Sequence, residues 1–141
     1  MTASAVAVID TEYLTVSGPD EARRAVRENL RAGADVIKIV AHDGNRFLGL
    51  DEIKAIVDEA HAGDVKVAAH AWDDRAIGLA VEAGVDSIEH GDEISDENLG
   101  RMARKGVFLV ATDRPRQAWM ELYGKSLYAT PEETADFGRM A

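Results

Sequence analysis

The sequence predicts an α/β protein built of parallel βα repeats, and three observations carry that expectation. Glycine recurs where amphipathic segments end: Gly33-Ala34-Asp35-Val36, Gly63-Asp64-Val65, Gly84-Val85-Asp86 and Gly106-Val107, spaced 30, 21 and 22 residues apart. Glycine just past a helix end supplies the left-handed conformation that stops the helix. A short apolar run follows each glycine at once, and strands linked through helices pair in parallel because a parallel pair needs a crossover. The runs Val36–Ala41, Val65–His70, Val85–His90 and Val107–Thr112 are apolar without strict alternation, as expected of parallel strands covered by helices. Four such units in succession make a singly wound layer.

The elements follow in order. Ala5–Val16 is β-prone and reads as one more strand or an irregular lead-in. Residues 19–32 open with proline and two acids and place Ala22, Val26 and Leu30 on one stripe, which predicts a helix. Asp51–His61 puts Ile53, Ile56, Val57 and Ala60 on one face. Asp73 or Asp74 caps a third helix ending at Ala83, and Ser95-Asp96-Glu97-Asn98 starts a fourth ahead of Leu99 and Met102. After Thr112, Arg114-Pro115-Arg116 breaks the rhythm, and helices are expected over 116–128 and 131–139.

Composition bounds the function. The chain has 141 residues, one domain's worth and well short of the roughly 250 of a complete eight-stranded α/β barrel. Its formal charge of −10 argues against nucleic acid and anionic membrane as partners, since both require a basic patch. There are no cysteines, which leaves His, Asp, Glu and Lys as the chemical inventory and accords with a cytoplasmic protein. Neither a signal peptide nor a membrane span is expected, because Asp10 interrupts the first apolar stretch and no apolar run approaches about 18 residues.

Chemistry concentrates where the apolar runs end. Lys38, His70 and His90 close or nearly close three consecutive predicted strands, and ligand sites of parallel α/β folds assemble at that carboxyl edge. Two imidazoles on neighbouring strand ends, about 5 Å apart at the backbone, can share one zinc-like ion. A lysine within Val-Ile-Lys-Ile-Val is costly to bury alone. It is read as a Schiff-base amine, as a carbamate bridging metals, or as the partner of an acid such as Glu89. His42, in a predicted turn over the same edge, Trp72 as a pocket wall and Thr112 are candidate substrate contacts. Asp73 and Asp74 read as helix caps, His61 as a packing or helix-end residue, and Arg114 and Arg116 as solvated charges. No P-loop, nucleotide-binding glycine fingerprint or nucleophile elbow is present.

Gly-Ala-Asp-Val-Ile-Lys-Ile from Gly33, Asp-Glu-Ala-His-Ala from Asp58, Val-Ala-Ala-His-Ala from Val67 and Ala-Gly-Val-Asp-Ser-Ile-Glu-His-Gly from Ala83 resemble the metal-dependent amidohydrolase superfamily. The branch of imidazolonepropionase and the prolidase-type dipeptidases is the most similar, and residues 18–113 carry the likeness. The resemblance implies a (β/α)8 barrel of amidohydrolase type, with residues 1–141 forming a single partial barrel of about strands three or four to seven. It implies a divalent metal, Zn2+ foremost, that activates water to hydrolyse the C–N bond of an amide, a cyclic amide or a dipeptide. Matched residue by residue, Lys38 corresponds to the family's carbamylated lysine, and His70 and His90 to its strand-five and strand-six metal ligands. The family's His-x-His and its strand-eight aspartate have no counterpart here. The usual small-residue loop after the lysine is Ala-His-Asp-Gly-Asn, and Ala-His-Ala runs on into Trp72-Asp73-Asp74. An incomplete enzyme is therefore expected, completed by a homo-oligomer or a complementing chain. The alternatives are a non-catalytic half-barrel that oligomerises and a Schiff-base lyase.

Overall fold

Residues 2–4, 13–43 and 46–112 are described in a computed structural model of the chain. Two compact units divide it, 1–111 and 112–141, and the elements below belong to the first. They run β1 (Thr2–Ser4), β2 (Tyr13–Thr15), α1 (Pro19–Arg31), β3 (Val36–Val40), β4 (His42–Asp43), β5 (Arg46–Phe47), α2 (Leu50–Ala62), β6 (Lys66–Ala71), α3 (Asp74–Ala83), β7 (Ser87–His90), α4 (Asp96–Lys105) and β8 (Phe108–Val110). Of the expected stretch Ala5–Val16, Tyr13–Thr15 forms β2; residues 5–12, the helices expected over 116–128 and 131–139, and Arg114 and Arg116 lie outside the described residues.

Six strands pair in parallel in the order β2-β1-β3-β6-β7-β8. Consecutive helices lie side by side, α1 on α2, α2 on α3 and α3 on α4. The strands are apolar throughout, yet their burial alternates. Ile37 and Ile39 of β3, Val67, Ala69 and Ala71 of β6, and Ile88 of β7 are buried against the helices, while Lys38, Val40, Ala68, His70 and Glu89 on the other face are not. The expected lack of alternation therefore holds for composition alone, because helices cover a single face. The helical stripes meet that face through Val26, Ile53, Ile56, Val57, Ile77 and Val81.

Two details differ from the sequence pattern. Gly84 and Gly106 stop α3 and α4 in the left-handed conformation, but Gly63 stays at φ −98° and Asp64 turns left-handed instead, at φ +56°. On α4, Leu99 is 40% exposed while Asn98 is buried, its amide donating to the carbonyl and the carboxylate of Asp74. A polar residue can replace an apolar one at an inward position when its hydrogen bonds are met there.

Two carboxylates, buried Glu52 and partly buried Asp86, fix the loops. Glu52 accepts from the backbone N–H of Gly18 at 2.7 Å and of Gly49 at 2.8 Å, tying the start of α1 to the start of α2. At the amino edge of the sheet, Asp86 accepts from Lys66 Nζ at 2.7 Å and from the Val67 N–H at 2.8 Å, with His61 Nε2 also at 2.8 Å. His61 thus joins α2 to the turn before β7, as its helix-end position implied. Among the described residues no helix is long and apolar enough to cross a membrane.

Candidate functional site

The carboxyl ends of β3, β6 and β7 are neighbours, and register decides which side chains meet. Lys38 lies opposite Ala68, Val40 opposite His70, His70 opposite Glu89, and Ala71 opposite His90. Lys38 and His70 therefore share the open face of the sheet. The two histidines are diagonal rather than directly opposite, which corrects the simple strand-end picture. Strand alternation alone would send His90 to the face of Ile88, under the helices.

His90 escapes that face through its backbone. It adopts φ +78°, a left-handed conformation that costs a non-glycine residue energy and that persists where the surroundings enforce it. Its ring comes to rest with its centroid 4.4 Å from that of His70, edge to face. Gly91 follows at φ +73°, where any side chain would be strained, and a Cβ there would also have to displace the tip of Leu109, 2.7 Å away. Trp72 completes a ring cluster, 5.0 Å from His70 and 5.8 Å from His90, and its 45% exposure suits a pocket wall.

The electrostatics follow from partial burial. The imidazole of His70 is pulled down to about 4, first by burial and then by the charges of His90 and Lys38, with Glu89 opposing. It stays neutral, with a lone pair free to bind a cation, throughout the physiological range. Burial also lowers Lys38, and Glu89 opposes the shift. The acid partner that the sequence offered is present, with Lys38 Nζ 3.9 Å from Glu89 Oε2.

Because protonation of His70 is harder in the folded chain, the unfolded chain binds the extra proton between pH 6.5 and 4. The stability of the metal-free protein is therefore full above about pH 6.5 and falls as the pH drops toward 4, by roughly 2 kcal/mol for a half-buried group. Urea unfolding at pH 7 and pH 4.5 should show a shallower pH slope for His70→Gln than for the parent chain. Equal slopes would contradict this assignment.

His42 does not sit in a bare turn. It begins a short antiparallel hairpin in which β4 pairs with β5, His42 opposite Phe47. Its Nδ1 lies 2.7 Å from Asp73 Oδ2, and its ring stacks on Phe47 at 3.8 Å, 6° from parallel. Arg75 lies over the same Phe47 ring at 4.4 Å. Asp73 is also the cap of α3, accepting from the Ala76 N–H at 2.9 Å, as its position predicted. Asp74 instead accepts from the Ser95 N–H at 2.8 Å. Thr112 follows β8 by two residues, in the second unit. Among the described residues no three His, Asp or Glu side chains gather as a ready metal cluster, so any ion here would draw on Lys38 or on residues elsewhere.

Sequence spacing did not reveal the His42–Asp73 pair or the backbone turn at His90. The one available hint was Gly91 directly after a strand-end histidine.

Known proteins resemble this chain in sequence and in fold. The sequence pattern of the amidohydrolase family matches residues 2–135. Ochratoxinase of Aspergillus niger is 34% identical in an alignment of 119 residues that covers 78% of this chain and 25% of that protein. Its crystal structure superposes with a TM-score of 0.77 at 32% identity, over 92% of this chain and 31% of that one. A prolidase complexed with N-methylphosphonate-L-proline gives 0.75 at 36% identity, covering 89% and 33%. A Xaa-Pro dipeptidase with methionine in its active site gives 0.77 at 30% identity, covering 89% and 34%. The chain spans a quarter to a third of the length of these relatives, and its parallel strands and helices correspond to part of their amidohydrolase-type barrel. With a match over nearly its whole length, the chain belongs to the amidohydrolase family.

Proposed function

We propose that this chain contributes to a metal-dependent hydrolase of C–N bonds, acting on an amide, a cyclic amide or a dipeptide, with Lys38, His70 and His90 as donors to a divalent ion, Zn2+ foremost. The observation that carries this reading is the His70–His90 pair, whose rings lie 4.4 Å apart only because His90 takes up a costly backbone conformation. The donor chemistry fits a metal: two imidazoles, one of them held neutral, beside a lysine whose amine is shifted toward its neutral form. A divalent ion, when bound, polarises the scissile carbonyl and acidifies water.

The residues divide the remaining work. A neutral Lys38 amine can add carbon dioxide: its nitrogen bonds the carbon, one C–O double bond opens to leave a negative oxygen, a proton leaves the nitrogen to solvent, and an anionic carbamate replaces the neutral amine. That carboxylate would add an anionic third donor to the pair of histidines. Trp72 offers an apolar wall against which a substrate side chain can exclude water. Since the chain is only a part of its relatives' length, turnover belongs to a completed barrel, supplied by a longer polypeptide, a complementing chain or a second copy. The cysteine-free composition suits a cytoplasmic setting.

Equilibrium dialysis against Zn2+ in bicarbonate buffer, followed by metal analysis and by hydrolysis assays on dipeptides and N-acyl amino acids, tests this. About one ion per chain is expected, with weaker binding when carbon dioxide is excluded. The absence of both bound metal and hydrolysis with any divalent ion would overturn it.

A further inference from the structure

The β4–β5 hairpin carries one histidine whose orientation is fixed more completely than a loop contact requires. Asp73 uses its two oxygens separately: Oδ1 caps α3 through Ala76, and Oδ2 meets His42 Nδ1 at 2.7 Å. A carboxylate oxygen accepts, so Nδ1 is the donor of this contact, and in that tautomer the ring's lone pair lies on Nε2. Stacking on Phe47, itself covered by Arg75, holds the ring plane. Tautomer and plane are thus both set, and among the described residues Nε2 has no partner.

Position ties this group to the site. Lys38, Val40 and His42 fall on alternate residues, with buried Ile39 and Ala41 between them. Asp73 directly follows Trp72, whose ring touches both His70 and His90. The His42 side chain is 24% exposed, accessible to a ligand yet partly shielded from water.

We propose that His42, oriented by Asp73, is a specificity-determining residue of the hydrolytic site, its Nε2 accepting the N–H of the substrate amide. The substrate class would be secondary amides, such as N-acyl amino acids, in preference to N-alkylated amides that lack this hydrogen. The assignment rests on the hydrolase reading for the role of the site, and Asp73 acts through His42 as a positioning residue.

The test uses the full chain carrying Trp119→Phe, which leaves Trp72 as the sole tryptophan. Its fluorescence is titrated with N-acetyl-L-phenylalanine and with the N-methylated form of the same compound, with and without Zn2+. The parent chain should bind the N–H probe about tenfold more tightly, the scale of one hydrogen bond to a well-placed acceptor. His42→Asn retains a donor for Asp73 but lacks Nε2, and it should bind both probes equally while keeping Zn2+ affinity within about twofold. Asp73→Ser keeps the helix cap but is too short to reach His42, and it should lose most of the discrimination. A parent chain that binds both probes alike, or a His42→Asn chain that still discriminates, would reduce the pair to a loop clip and overturn the proposal. Failure to bind Zn2+ would instead refute the hydrolase reading, while N–H discrimination in metal-free protein would still support the His42 assignment.

Discussion

Replacing His70 or His90 by alanine should weaken Zn2+ binding by at least about 100-fold, because even outer partners of metal ligands carry 10–100-fold effects. Isothermal titration at neutral pH would measure it. The two substitutions should differ in their effect on folding. His70→Ala removes a partly buried ring from the open face, whereas His90→Ala leaves a non-glycine residue at φ +78° and so keeps the backbone cost without the ring contact. Both variants should lose the zinc-induced change in Trp72 fluorescence, since that ring touches both imidazoles. Undiminished zinc affinity in either variant would remove that histidine from the ligand set.

Asp86→Ala should be the most destabilising single polar substitution at the amino edge of the sheet. It strips partners from Lys66, from His61 and from the N–H of Val67, the last within the β-sheet. Orphaning such a donor and breaking a part-buried ionic cluster costs about 2–3 kcal/mol, which lowers Tm by roughly 10–15 °C in a domain of this size. Burial pushes the Asp86 carboxyl up, but hydrogen bonds from Lys66, Val67 and His61 together hold it below the usual carboxylate range. Its contribution is therefore present above about pH 4 and is lost as the pH falls through the lower folded value. Thermal unfolding at pH 7 would check the magnitude, and a Tm change below about 2 °C would contradict it. Zinc affinity should not change, because the cluster lies at the opposite edge from the histidines and distant sites act independently.

Much of this architecture was legible in the chain. Glycine stops and apolar stripes marked α1 to α4 and the strands that follow them, because helix termination and face burial are local effects with fixed periods. The carboxyl-edge placement of Lys38, His70 and His90 followed from that alternation, and the motifs around them carried the family resemblance. What escaped was non-local or conformational. His42 and Asp73 are 31 residues apart and meet only because two loops converge over the sheet edge. Asn98 of α4 is buried while its neighbour Leu99 is 40% exposed, because Asp74, 24 residues earlier, satisfies its amide. The aim of His90 depends on a single backbone dihedral, which no spacing rule encodes.

That dihedral sets a trade-off. Glycine at position 90 would adopt the left-handed turn freely and relieve about 1–2 kcal/mol of backbone cost, yet it would remove one of the two imidazoles. Selection for a stable fold alone favours the glycine, while selection for cation binding favours the histidine. Of the two described non-glycine residues at positive φ, Asp64 and His90, only the second carries a proposed metal donor, so relief of backbone strain there would come at the expense of the proposed site.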